Sequence, residues 1–82
     1  MNTNNLLNRI VVDSHIMIGK PVIKGTRLTV ELILGLCAQS MTIEEILQEY
    51  NKLTKDDILA CFVFAQNTLK DTTFIPYNQI FA

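Results

Sequence analysis

The sequence predicts an α+β domain, mainly α, in which a short N-terminal β-strand pair leads into three helices. Two observations carry that fold class. Short β-branched runs bounded by turn residues are confined to the first 30 positions, and from Val30 onward the apolar residues fall at helical spacing, with capping patterns at the starts of the helical stretches. With 82 residues the chain has the length of one small domain whose core is thin for its surface.

The elements follow in order. After a polar start, Arg9 to Val12 is a β-branched run that stops at Asp13-Ser14, residues that favour turns. Gly19 supplies a permissive backbone position, Lys20-Pro21 enforces an extended chain, and Val22-Ile23 forms a second strand closed by Gly25-Thr26. The intervening loop, residues 13 to 19, is long for a tight hairpin, so the strands can pair within one chain or be exchanged between two. A first helix is expected over about 30 to 38, with Thr29 as its N-cap and Glu31 in its first turn. Gln39-Ser40-Met41 breaks it. Thr42-Ile43-Glu44-Glu45 is a capping box that opens a second helix, with Ile43, Ile46, Leu47 and Tyr50 on one face and Glu44, Glu45, Gln48 and Glu49 on the other. Asn51-Lys52-Leu53 is a turn, and Thr54-Lys55-Asp56-Asp57 repeats the capping pattern with aspartate before a third helix, roughly 55 to 70. That helix is apolar around its circumference over residues 58–65, so the side left uncovered by its neighbours is expected to meet a partner; Phe62, Val63 and Phe64 are the candidate dimer interface. The domain is taken as residues 1–71, followed by an uncharged hydrophobic tail, 72–82.

Charge is distributed unevenly. The net charge is −1, yet residues 1–30 carry +3 and residues 31–82 carry −4, so the front of the chain looks for anions. Cys37 and Cys61 lack a C-x-x-C pattern and a second histidine to join His15, which points to buried thiols in a reducing compartment and to no metal. The N-terminus has neither the charge nor the unbroken apolar run of a signal peptide or membrane span, and the expected location is cytoplasmic.

No catalytic constellation emerges. The carboxylates cluster on a solvent face, and His15 beside Asp13 and Ser14 lies in a turn where neighbouring side chains rarely meet. Gly19-Lys20 and Gly25-Thr26-Arg27 fail the spacing of a phosphate-binding P-loop, so an enzyme and a cofactor are both excluded from the reading. The segment GKPVIKGTRLTV still gathers Lys20, Lys24 and Arg27 on a short ribbon. Solvated edge-strand cations that oppose aggregation are the bland explanation. The helical order also fits a helix-turn-helix, although Asp56 and Asp57 at the start of the third helix would repel phosphate and only Lys52 and Lys55 favour it. DNA contact is therefore expected from Arg9, Lys20, Lys24 and Arg27 above all, with Lys52 and Lys55 in support.

The runs R-I-V-V-D, M-I-G-K-P-V-I-K-G-T-R-L-T-V-E-L-I-L and M-T-I-E-E-I-L-Q-E-Y-N-K-L-T-K-D-D-I-L-A, from Arg9 to about Ala65, resemble the small prokaryotic family called domain of unknown function four-three-three. The resemblance implies a homeodomain-like helix-turn-helix protein, an antitoxin encoded beside a PIN-like ribonuclease toxin, which it binds while repressing its own operon. Ser14 stands where that family commonly has proline, Ile18 where it has a second glycine, Thr29 where a proline often opens the helix, and Gln39-Ser40 where a glycine is usual. On this reading the partners are the toxin, operator DNA and a second copy of the chain. The cations of two subunits neutralising about four phosphates would give a log-log salt slope of roughly −3 to −4. A cation of the ribbon could alternatively enter the carboxylate cluster of the toxin, with Phe74, Tyr77 and Phe81 of the tail as toxin-binding anchors; the same tail could instead fold back on its own core. The alternatives are a stand-alone DNA-binding regulator and a protein-interaction module that does not touch DNA.

Overall fold

The computed structural model describes residues 3–70 and 72–74. In chain order it contains α1 (Thr3–Leu7), β1 (Ile10–Val11), β2 (Val22–Ile23), α2 (Val30–Ala38), α3 (Ile43–Glu49) and α4 (Lys55–Lys70). The strands pair antiparallel within the chain, Ile10 opposite Ile23 and Val11 opposite Val22. A short two-stranded sheet followed by helices is the α+β, mainly α architecture that the hydrophobic spacing predicts, and the bounds of β2, α2 and α4 coincide with the expected ones.

Each helix begins where its cap dictates. The Thr29 hydroxyl accepts from the Leu32 N–H at 3.0 Å. Thr42 and Glu45 form a reciprocal capping box at the start of α3, and Thr54 and Asp57 do the same at the start of α4, at 2.9 and 3.3 Å. Helix α2 ends in a Schellman arrangement: the Ser40 N–H donates to the Cys37 carbonyl, and the Met41 N–H donates to the Leu36 carbonyl. Ser40 therefore has a left-handed backbone, φ 73°.

The core is formed by Ile23, Val30, Ile33, Ile46, Leu53, Ile58 and Cys61, so β2 and all three long helices contribute to it. On α3, Ile46 is buried and the four polar residues of the opposite face are exposed, as the pattern predicts. Cys61 is buried and its thiol is pushed up to about 12, first by loss of hydration and then by the nearby Asp57 carboxylate and Cys37. Cys37 is only half-buried, a departure from the expectation that both thiols are hidden; both are free.

Helix α1 was not anticipated. Its sequence, TNNLL, has little helical preference, and its order comes from packing on α4, with Leu6 buried. It covers part of the circumference of α4 that the sequence left for a partner. On α4, Ile58, Ala60 and Cys61 are buried, Val63 and Phe64 are half-buried, and Phe62 is exposed. Phe62, Val63 and Phe64 therefore do not form one continuous face: Phe64 packs against the core, whereas Phe62 points to solvent.

Between the strands, Met17, Ile18 and Gly19 form a left-handed turn with φ of 49°, 58° and 80°. Glycine adopts this backbone freely, but a methionine and a β-branched isoleucine each lose about 1–2 kcal/mol in it. Among the described residues no helix is long and apolar enough to cross a membrane.

Candidate nucleic-acid interface

Lys24 and Arg27 are carried by a tight loop whose polar backbone is satisfied internally. The Ile23 N–H donates to the Leu28 carbonyl at 2.9 Å, and the Lys24 N–H donates to the Arg9 carbonyl at 2.7 Å. The Thr26 hydroxyl donates to the Ile23 carbonyl at 2.7 Å and accepts from the Leu28 N–H at 3.0 Å. Gly25, at φ 82°, lets the chain reverse there. With the loop's hydrogen bonds closed on themselves, the Lys24 and Arg27 side chains are left in solvent.

A second segment comes alongside. The turn between α3 and α4 brings Tyr50, Asn51 and Lys52 to face Arg27, and together they line an open groove of about 440 Å³ that also holds Glu49. A neighbouring hollow of about 360 Å³ lies between Arg27 and Ile16 of the strand connection. Lys55 opens α4 and is exposed. Among the described residues, Lys24, Arg27, Lys52 and Lys55 form no ion pair, whereas the other two expected DNA-binding cations do.

Arg9 reaches Asp57 at 3.1 Å and Asp56 at 3.7 Å. Both oxygens of Asp57 are occupied, one by Arg9 and the other by the Thr54 N–H, and its side chain is only 12% exposed. Arg9 is thus paired within the chain, and the Asp57 charge at the start of α4 is compensated by the guanidinium and by the helix N-terminus. Lys20 pairs with Glu31 at 3.0 Å, but both side chains are well exposed, so the pair is weak and readily exchanged. No local pattern announces the Arg9–Asp57 pair, since its members are 48 positions apart.

His15 lies in solvent with its ring 3.3 Å from Asp13, which also accepts the His15 backbone N–H. No group of three or more metal-ligating side chains occurs among the described residues. Of the tail aromatics, Phe74 is 65% exposed, while Tyr77 and Phe81 lie outside the described residues.

Residues 10–65, spanning the strands, the cationic loop and most of α4, match the family described as "Protein of unknown function (DUF433)". The chain belongs to that family. An uncharacterized protein of Archaeoglobus fulgidus is 64% identical to it over 25 residues, which cover 30% of this chain and 69% of the relative. No solved structure matches the chain. The family match takes in Lys20, Lys24, Arg27, Lys52 and Lys55 but starts one residue after Arg9 and ends before the tail.

Proposed function

We propose that this protein is the antitoxin of a toxin-antitoxin pair, acting in the cytoplasm and repressing its own operon by binding operator DNA through the end of the molecule that carries Lys24, Arg27, Lys52 and Lys55. The observation that carries the DNA part is the groove that brings exposed Arg27 and Lys52 together from two segments separated by two helices, with exposed Lys24 three residues before Arg27, exposed Lys55 three residues after Lys52, and none of the four in an ion pair among the described residues. Ammonium and guanidinium groups so arranged neutralise phosphates on adjacent turns of a backbone, while the apolar residues that follow Lys55 on α4 offer little for base-edge readout. The cationic loop and the turn before α4 thus supply the affinity, and α4 supplies the packing.

The toxin part rests on the resemblance and on the exposed aromatic at the start of the tail. A gel shift on the DNA upstream of its own gene tests the first part: wild type is retarded, and the fourfold Lys24, Arg27, Lys52 and Lys55→Ala variant is not. Co-purification with the product of the adjacent gene tests the second. A chain truncated after Asp71 that still holds that product would remove the tail from the contact, and failure of the full chain to hold it would leave a stand-alone DNA-binding regulator.

A further inference from the structure

Helix α4 carries an apolar stripe to the point where the chain leaves it. Phe64, Ala65, Thr68 and Leu69 of α4 line an open, mainly apolar groove of about 390 Å³ together with Val30 and Leu34 of α2. Leu69 is 58% exposed, and Glu31 alone is charged among the described residues that line the groove. The backbone beyond the helix stays with this stripe. The Thr72 N–H donates to the Leu69 carbonyl at 3.1 Å, and the Thr72 hydroxyl donates to the Thr68 carbonyl at 2.8 Å. Thr72 therefore lies one turn beyond Thr68, at the spacing that continues Ala65 and Thr68 along one helix face, and the chain departs from α4 beside the end of the groove. The next aromatic, Phe74, is 65% exposed.

The eight residues after Phe74, Ile75-Pro76-Tyr77-Asn78-Gln79-Ile80-Phe81-Ala82, carry no charged side chain. We infer that this segment occupies the groove of its own chain, with Tyr77, Ile80 and Phe81 covering Leu34 and Leu69. Reach is ample, because eight extended residues span up to about 28 Å and the α4 wall from Phe64 to Leu69 is only about 8 Å long. Pro76 opposes continuation of the helix along its own axis. Tethering favours this occupant over a free one. A segment attached at the end of the groove pays only a loop-closure cost and is present there at a high effective concentration, whereas a separate molecule must give up its free motion to bind. Chemistry agrees, since an uncharged, apolar segment covers an apolar wall without taking an ion out of water. The contact concerns the free chain and rests on neither part of the proposed function; a toxin that holds the tail would first draw it out of the groove.

Nuclear Overhauser contacts in the full chain test it. Wild type should show contacts from the Tyr77 and Phe81 rings to the methyl groups of Leu34 and Leu69. The Leu34 contacts should be lost in Leu69→Glu, which sets a charge on an already exposed wall. They should persist in Asn67→Glu, which alters a different hollow of α4, lined also by Leu7 and Ile10. A chain ending at Phe74 should melt about 5–10 °C below wild type, and in the Leu69→Glu background the same truncation should move the midpoint by less than about 2 °C. That second comparison separates a lost groove contact from a general loss of folding. Absence of tail-to-groove contacts overturns the proposal, as does a truncation that leaves the wild-type midpoint unchanged. Contacts between labelled and unlabelled chains in a mixed sample overturn it too, because a second copy then fills the groove, and so do tail contacts to Leu7 and Ile10 in place of Leu34 and Leu69.

Discussion

Asp57 shows how one side chain can alter the meaning of a segment. Read locally, the pair Asp56-Asp57 makes the start of α4 repulsive to nucleic acid. In the fold, Asp57 caps the helix and accepts from Arg9, so the acidic residue acts inside the protein. Replacing Arg9 with alanine should lower stability to urea by about 1–2 kcal/mol, discounted for the partly exposed guanidinium. The Asp57→Ala change should cost more, about 2–3 kcal/mol, because the cap is lost as well. The two effects should fall short of additive in the double variant, since they share one interaction. The cysteines give a second residue-scale prediction. With its thiol pushed up to about 12 in the folded state, Cys61 remains protonated and unreactive at pH 8, while half-buried Cys37 reacts. Titration with a thiol reagent should find one fast group in native protein and two after unfolding. As the folded value exceeds the ordinary thiol value, ionisation of the unfolded chain also favours unfolding between the two, and a Cys61→Ala variant should lose that part of the alkaline destabilisation.

The elements were legible where a local signal writes them. Thr29, Thr42 and Thr54 each announce a helix start, and the matching caps are present in the fold. In α3 the Thr42 N–H, followed by its hydroxyl, holds the Glu45 carboxyl below the usual glutamate value. A lowered folded value means that this stabilisation is present above the ordinary glutamate value and is lost as pH falls through the lowered one. Glu45→Gln should therefore flatten the acid side of the stability-pH curve without changing its alkaline side. The end of α2 supplies a prediction of opposite sign. Ser40 occupies the left-handed position of a Schellman motif, which favours glycine, and Ser40→Gly should raise the urea midpoint by an amount equivalent to about 1 kcal/mol. Ile18, like Ser40, has a positive φ, a backbone that glycine adopts without strain. Helix α1 was not legible because its order comes from burying Leu6 against a helix some fifty residues later, not from its own sequence. The Arg9–Asp57 pair was missed for a related reason: periodicity and caps describe neighbours along the chain, not groups brought together by tertiary packing.

At the scale of the whole molecule, the uneven charge along the sequence is redistributed by the fold. Arg9 pairs with Asp57 and Lys20 with Glu31, while Lys52 from the acidic half of the chain lines one groove with Arg27. Loss of residues 1–8 should reduce overall stability but leave the cationic loop formed, because that loop closes its hydrogen bonds mainly between residues 23 and 28. The most direct test of the account is the salt dependence of binding to the protein's own upstream DNA, followed by fluorescence anisotropy for wild type and for Lys24→Ala, Arg27→Ala, Lys52→Ala, Lys55→Ala and Lys20→Ala one at a time. Affinity should fall with a log-log slope of about −3 per bound protomer, each of the first four changes should reduce that slope by up to about 1, and Lys20→Ala should leave it nearly unchanged. Binding that is indifferent to salt, or that depends on Lys20 while ignoring the other four, would contradict it.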